Sequence, residues 1–145
     1  AFLMLVSARN QLKATVAAVK EGAVNNEITL RLEKGTELTS VITKASSERL
    51  GLAVGKEAYA VVKASNVMIG AEGGNLMLSA RNQIVGTVRQ IADGAVNAEI
   101  TVELEGGETV TSIITLASRK NLGLAEGSKV FVIVKASDVM VGVKA

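Results

Sequence analysis

Hydrophobic and polar residues alternate along several short stretches of the chain. Ile28, Leu30 and Leu32 alternate with Thr29 and Arg31, and residues 100–104 repeat this pattern. A period of two is typical of a β-strand that buries one face. By the same reasoning, and from short apolar runs, we predict further strands at 15–20, 39–43, 57–63 and 67–70, and at the matching positions 86–91, 111–115, 129–135 and 139–142.

Two segments lack this alternation. Residues 45–50 and 117–122 show no period of two, and each is followed by a glycine, Gly51 and Gly123. A glycine directly after the last turn is a common helix stop. We therefore predict one short helix in each half of the chain.

The chain is a tandem repeat. Residues 5–70, aligned without a gap on residues 77–142, share 35 of 66 positions. We predict two small domains, 1–70 and 77–145, joined by a linker at 71–76. Each is expected to be an all-β, OB-like small barrel with one short helix. A domain of this size buries only about 60% of its chain's surface, so we expect the units to stabilise each other or the chains to associate.

Composition removes several kinds of chemistry. The chain has no His and no Cys, which excludes disulfides, thiolate nucleophiles, Ser-His triads and imidazole or thiolate metal sites. A net charge of +2 is too small to indicate general attraction to nucleic acid or membranes. No apolar run approaches the roughly 20 residues that span a bilayer. We expect no catalytic residues, no bound metal ion, no cofactor, no nucleic-acid partner and no membrane partner.

The two copies can be compared with each other for polar residues that both have kept. Arg9/Arg81 and Lys63/Lys135 are the only basic positions that match. Hydroxyl groups recur beside them and near the predicted helix start, as in Ser46/Ser118. Arg offers a planar fork of donors, Lys a point charge, and hydroxyls further donors. This set suits an oxyanion, whereas a divalent cation would need convergent carboxylates.

Each retained residue also has a structural interpretation. Arg9 would pair with a carboxylate on a strand edge, and Lys63 would extend its stem along an apolar surface. Thr43 and Ser46 would only cap the helix. The segment 22–25 would be a turn set by backbone geometry. Met68 and Met140 are interpreted as core residues.

Four motifs, each present twice, resemble the molbindin (Mop) family in its tandem di-Mop form. They are Ser-Ala-Arg-Asn-Gln at 7–11, Gly-Ala-Val-Asn-x-Glu-Ile at 22–28, Thr-x-x-Ser-x-x-x-Leu-Gly-Leu at 43–52 and Val-Lys-Ala-Ser-x-Val-Met at 62–68. The resemblance covers nearly all of the chain outside the termini and the linker. It implies OB-like barrels of the Mop/TOBE type that hold molybdate or tungstate in the cytoplasm, at interfaces between domains or subunits of a homotrimer. The anion is then held by hydrogen bonds and charge, without direct protein–metal bonds.

The resemblance also implies which residues bind the anion. One set of interface sites would be lined by Ser7, Arg9, Ser46, Lys63, Ala64 and Ser65, and by Ser79, Arg81, Ser118, Lys135, Ala136 and Ser137. A second class of site would use Ala23, Val24, Asn25, Ala95, Val96 and Asn97. With two units filling the chain, we expect a stand-alone binder for storage, homeostasis or delivery of the oxyanion.

Two other functions remain open from the sequence. One is an OB-type nucleic-acid-binding module, which would need aromatic side chains for base stacking. The chain has only three, and two of them, Tyr59 and Phe131, occupy equivalent positions that we expect to be core. The other is an interaction module that associates with a transporter. The apolar start, 1–3, is interpreted as either an added edge strand or a non-native extension.

Overall fold

The computed structural model describes residues 4–145, so the interpretation of residues 1–3 lies outside the described residues. The predicted all-β class with one short helix per repeat is confirmed. Each helix is followed by a strand and then by a single 3-10 turn, at Ala64–Asn66 and Ala136–Asp138, that we did not predict. The first repeat contains β1 (Asn10–Glu21), β2 (Asn25–Leu32), β3 (Glu37–Thr43), α1 (Lys44–Arg49), β4 (Glu57–Val62) and β5 (Met68–Gly70). The second contains β6 (Asn82–Asp93), β7 (Asn97–Leu104), β8 (Thr109–Thr115), α2 (Leu116–Asn121), β9 (Lys129–Val134) and β10 (Met140–Gly142).

The strands form two five-stranded antiparallel sheets that exchange their last strands. The first sheet has the order β10-β4-β1-β2-β3, and the second has the order β5-β9-β6-β7-β8. Thus β10 of the second repeat pairs with β4 of the first, and β5 of the first pairs with β9 of the second. The predicted boundaries at 70 and 77 follow the sequence repeat, whereas the hydrogen-bonded sheets cross them.

The alternation seen in the sequence sets which face of each strand is buried. Ile28, Leu30 and Leu32 are almost completely buried, and Ile100 and Leu104 repeat them in the second sheet. Buried residues of both repeats belong to one continuous core. Burying one such side chain contributes about 1.5–3 kcal/mol. The two repeats therefore share the hydrophobic stabilisation that one short unit would lack.

Two buried serines hold the crossing segments in place. Ser40 on β3 is fully buried and donates to the carbonyl of Val139, which directly precedes β10. Ser112 on β8 is likewise buried and donates to the carbonyl of Val67, which precedes β5. A buried carbonyl without a partner costs free energy, so each serine fixes where the exchanged segment crosses the other repeat.

The β2–β3 and β7–β8 hairpin loops of the two repeats meet through non-identical residues. The Glu108 carboxylate, on the second loop, accepts hydrogen bonds from the Thr36 hydroxyl at 2.6 Å and from the Lys34 N–H at 3.0 Å. Thr36 and Glu108 occupy equivalent positions of the repeat. A Cβ atom at Gly106 would lie 2.5 Å from the Thr36 hydroxyl oxygen, so this approach needs glycine there. The contact therefore joins two loops of different sequence: the first supplies the hydrogen-bond donors and the second supplies the carboxylate.

The ionisation of Glu108 reflects both its burial and its donors. Burial raises the pKa of this carboxyl, but the hydrogen bonds from Thr36 and Lys34 more than offset burial, and the pKa lies below the usual 4.5.

Within residues 4–145, no helix is long and apolar enough to cross a membrane.

We expect Glu108→Gln to lower the free energy of unfolding at pH 7 by about 1–2 kcal/mol, because the substitution removes a charged acceptor. Since the folded pKa is depressed, the carboxylate's contribution is present above the unfolded pKa and is lost as pH falls through the folded pKa. Urea unfolding at pH 7 and at pH 3 measures both effects.

The matched control is Glu105→Gln, an exposed carboxylate in the same loop. Its effect should stay within about 0.5 kcal/mol. A difference between the Glu108→Gln variant and the original chain that is equal at both pH values would contradict the assigned role of the charge.

Candidate functional site

Two clefts, one near the start of each repeat, gather most of the predicted binding residues. Cleft 1 has a volume of about 270 Å³ and cleft 2 of about 450 Å³. Cleft 1 is lined by Val6, Ser7, Ala8, Arg9, Lys63, Ala64, Ser65, Ile113 and Met140. Cleft 2 is lined by Leu78, Ser79, Ala80, Arg81, Lys135, Ala136, Ser137, Val41 and Met68.

Strand register explains why residues far apart in sequence meet in a cleft. In the antiparallel pair β1–β4, Asn10 lies opposite Val62. The next residues outward, Arg9 and Lys63, therefore lie at the same end of the sheet. The 3-10 turn that follows Lys63 then places Ser65 beside them. The equivalent pairing in the second sheet brings Arg81 and Lys135 together.

A buried asparagine fixes the start of β1 to the other repeat. The Asn10 side chain donates to the carbonyl of Thr111 and accepts from the Thr111 N–H, both at 2.8 Å. Asn82 makes the same two bonds with Thr39, at 2.8 and 2.7 Å. Both amides are only 4% exposed. Because each asparagine directly follows a cleft arginine, it holds that arginine against the opposite repeat.

Each cleft arginine forms an ion pair with a glutamate of the other repeat. The Arg9 guanidinium donates to the two oxygens of Glu99 at 2.7 and 3.2 Å, and Arg81 donates to Glu27 at 2.9 Å. The hydrogen bond from each arginine lowers the pKa of its glutamate, and the same bonds raise the pKa of the arginines. The interpretation of Arg9 as a partner of a carboxylate is thus realised, while the arginine still lines cleft 1.

The remaining polar residues of the clefts are accessible. Lys63 and Lys135 are exposed, and none of the ion pairs within residues 4–145 involves either of them. The Ser7 and Ser65 side chains are exposed at cleft 1. Ala64 and Ala136 are buried, so only their backbone can offer polar groups to a ligand. Each cleft therefore presents two cations and two hydroxyls.

Ser46 and Ser118 lie apart from the residues that line the clefts. They are in the first turns of α1 and α2, where their N–H groups donate to the Thr43 and Thr115 hydroxyl oxygens at 3.1 and 3.0 Å. These threonines are helix N-caps, as the structural interpretation of the motif predicted.

The residues of the predicted second class of site lie in the turns between β1 and β2 and between β6 and β7, and at the first residues of β2 and β7. Their side chains are exposed, and the carbonyls of Val24 and Val96 accept the N–H groups at the starts of α1 and α2. At Gly22 a Cβ atom would lie 2.4 Å from the Asn25 carbonyl oxygen, so the turn itself requires this glycine. The predicted residues here are Ala23, Val24 and Asn25, and Ala95, Val96 and Asn97. Of these, Asn97 lines a small pocket with Gly94, Glu99 and Ile113.

Some residues near the clefts were not predicted, or were interpreted differently. Met68 and Met140 are 42% and 46% exposed and line the clefts, so their interpretation as core residues is wrong. They lie on the exchanged strands, and each lines the cleft that carries the other repeat's arginine. Tyr59 and Phe131 are also not core residues as expected, because they are half-buried and face outward beside Gly142 and Gly70 of the exchanged strands.

The donors in the clefts suit an anion. Within the described part of the chain, no group of three or more carboxylates could hold a metal ion. Arginine, lysine and hydroxyl groups donate hydrogen bonds and positive charge, which is what a tetrahedral oxyanion needs.

Comparison with known families identifies the class of protein. The TOBE domain matches twice, at residues 6–69 and 78–141, and the chain belongs to the TOBE-domain family. The predicted membership of a Mop/TOBE-type tandem protein is thereby confirmed.

Two individual relatives have names that refer to molybdenum. The chain is 45% identical over 140 residues to the molybdenum transport protein ModE of Azotobacter vinelandii, and 44% identical over 137 residues to the molybdenum-pterin-binding protein MopA of Rhodobacter capsulatus. These matches cover 97% and 94% of this chain but 52% of each relative, so the chain spans about half their length.

A solved structure matches along its whole length. The cytoplasmic molybdate-binding protein ModG, with molybdate bound, superimposes with a TM-score of 0.91 at 47% identity. The match covers 97% of this chain and 100% of that chain. The OB-like fold predicted from the sequence is confirmed by this similarity.

We expect Asn10→Ala to lower the free energy of unfolding by about 2–3 kcal/mol, because it leaves two backbone groups of Thr111 without partners. Asn82→Ala should act equally through Thr39. Urea unfolding at neutral pH measures both changes.

The control is Asn121→Ala, at an exposed asparagine that ends α2. It should change stability by less than about 0.5 kcal/mol. Equal effects at Asn10 and Asn121 would contradict the assigned clamp.

Proposed function

We propose that this chain binds molybdate, as an intact oxyanion, in cleft 1 and cleft 2. The observation that carries the proposal is the duplicated set of one arginine, one lysine and two serines at the mouth of each cleft. The similarity to a molybdate-bound structure over 97% of this chain supports the same ligand.

The shape and charge of the ligand fit the hydrogen-bond donors of the clefts. Molybdate is a tetrahedral dianion with four acceptor oxygens and no apolar face. In cleft 1, Arg9 and Lys63 supply two positive charges, and Ser7 and Ser65 supply neutral donors. The backbone of Ala64 lines the same cleft. The anion is then bound by hydrogen bonds and charge, and no side chain coordinates the metal atom. Tungstate has the same shape and charge and should bind in the same way.

The function is binding, without a chemical step. The polar residues that both repeats have kept include no pair of nucleophile and general base. We propose storage, homeostasis or delivery of the oxyanion in the cytoplasm. ModG, whose fold this chain shares, is described as cytoplasmic. The half-buried Tyr59 and Phe131 give little support to base stacking by a nucleic-acid module.

From the resemblance to tandem di-Mop proteins, we further propose that three copies associate and complete the sites. The apolar segments 4–6 and 76–78 are exposed, and the side chains of Leu5 and Met77 are fully accessible to solvent. Such apolar segments, present twice, favour burial against another protein surface. Ser46 and Ser118, which lie apart from the clefts of their own chain, would then reach the anion from a neighbouring copy.

The turns that contain Ala23, Val24 and Asn25, and Ala95, Val96 and Asn97, would form the second class of site in such an assembly. The repeats, 1–70 and 77–145 with a linker at 71–76, are proposed as its domains.

We expect the double variant Arg9→Ala with Arg81→Ala to raise the dissociation constant for molybdate about tenfold to a hundredfold, since each cleft loses a charged donor. Isothermal titration calorimetry with molybdate, tungstate and sulfate measures this. The original chain should bind the first two more tightly than sulfate, and elemental analysis of the purified protein should find molybdenum or tungsten.

The matched control is Arg31→Ala with Arg89→Ala, which removes two arginines whose exposed ion pairs lie outside the clefts. Its molybdate affinity should equal that of the original chain. Equal millimolar binding of all three anions, or binding unaffected by the loss of Arg9 and Arg81, would overturn the proposed site.

We expect the double variant Leu5→Lys with Met77→Lys to dissociate the trimer, because it places one positive charge in each apolar segment. Sedimentation velocity measures the change from a trimeric to a monomeric mass, and calorimetry should show weaker molybdate binding in the same variant.

Val54→Lys replaces an exposed apolar residue elsewhere on the surface and should leave the trimer intact. The proposed assembly would be contradicted if the original chain sedimented as a monomer and still bound molybdate more tightly than sulfate.

A further inference from the structure

The arginines proposed to bind the oxyanion are already bound to carboxylates. Glu99 accepts two hydrogen bonds from Arg9, and Glu27 accepts one from Arg81. We propose that Glu99 and Glu27 compete with the ligand for the cleft arginines. These glutamates hold the arginines in the unliganded protein and thereby lower the affinity of the clefts for oxyanions. This inference rests on the proposed function.

Strand pairing places both glutamates beside the clefts. On β7, Glu99 lies directly opposite Ile113 of β8, and Ile113 lines cleft 1. On β2, Glu27 lies opposite Val41 of β3, and Val41 lines cleft 2. The carboxylates are therefore fixed next to the clefts by the sheets and not by flexible loops.

The ion pairs recur at equivalent positions, which distinguishes them from the other arginine–glutamate pairs. Arg9–Glu99 and Arg81–Glu27 are the same pair made twice, each time between repeats. The pairs Arg31–Glu37 and Arg89–Glu103 are of similar length, at 3.0 and 3.2 Å, but each lies within one repeat and at non-equivalent positions. The recurring pairs are thus tied to the clefts, and the others serve as matched references.

A dianion in the cleft changes the surroundings of the glutamate. To bind the guanidinium, the ligand either replaces the carboxylate or shares the arginine with it and lies close to a like charge. Both outcomes oppose binding. All four side chains are partly exposed, between 34% and 52%, so water screens this opposition but does not remove it.

The carboxylate would limit which anions bind in the cleft. An unpaired arginine at an open cleft would bind any abundant anion. With the glutamate in place, a ligand must offer more than one carboxylate does. A tetrahedral dianion that reaches both Arg9 and Lys63 satisfies this condition, because Lys63 takes part in no ion pair of residues 4–145.

The test is the molybdate affinity of the full chain carrying Glu27→Gln and Glu99→Gln together, measured by isothermal titration calorimetry. Glutamine keeps the size of the side chain but removes its charge. We expect the dissociation constant to fall about fivefold to tenfold, the size expected for removing a like charge near the surface. The control, Glu37→Gln with Glu103→Gln, should leave it unchanged, and thermal unfolding without ligand should show that both variants fold.

The outcomes separate this inference from the proposed function. If the original chain binds molybdate and the Glu27/Glu99 variant binds it equally or more weakly, the glutamates do not compete with the ligand, and the inference is overturned while the function stands. If only the variant binds molybdate, competition is supported, while the proposed binding of molybdate by the original chain fails. If neither protein binds molybdate, both proposals fail. A tightening in the control variant of the same size would also overturn the inference, because it would reflect net charge alone.

Discussion

The exchange of the last short strand between the repeats governs how both sheets are completed and where the clefts form. Because β10 completes the first sheet and β5 the second, neither repeat completes its sheet from its own residues alone. The buried hydroxyls of Ser40 and Ser112 then satisfy carbonyls of the crossing segments. One continuous core follows, and it offsets the small size of each unit.

The same exchange builds the candidate sites. The cleft that holds Arg9 also receives Met140 from the exchanged strand and Ile113 from β8. The clamp from Asn10 to Thr111 keeps the arginine against the other repeat, within reach of Glu99. A change in how the repeats meet would therefore alter the geometry of the clefts, so the contacts that fold the chain also shape the candidate sites.

Much of the fold could be predicted from local pattern. Period-two alternation located the strands because each has one buried face, and a glycine marked each helix end. The cations in the clefts were found by comparing the copies, since Arg9 and Lys63 were kept where neighbouring charges changed. Glu27 and Glu99 were also kept, but their separation in sequence concealed that they meet the arginines. Met68 and Met140 were misplaced in the core for the same reason.

The repeat, the strand periodicity, the lack of thiol and imidazole chemistry and the polar residues common to both copies can all be read from the amino-acid sequence. The folded chain adds which repeat supplies the closing strand, that each arginine pairs across the repeats, and that Ser46 and Ser118 lie outside the clefts. This division arises because alternation and turn signals act between neighbours in sequence. Pairing between distant strands depends on register and on which edge is left open, and no local pattern records either.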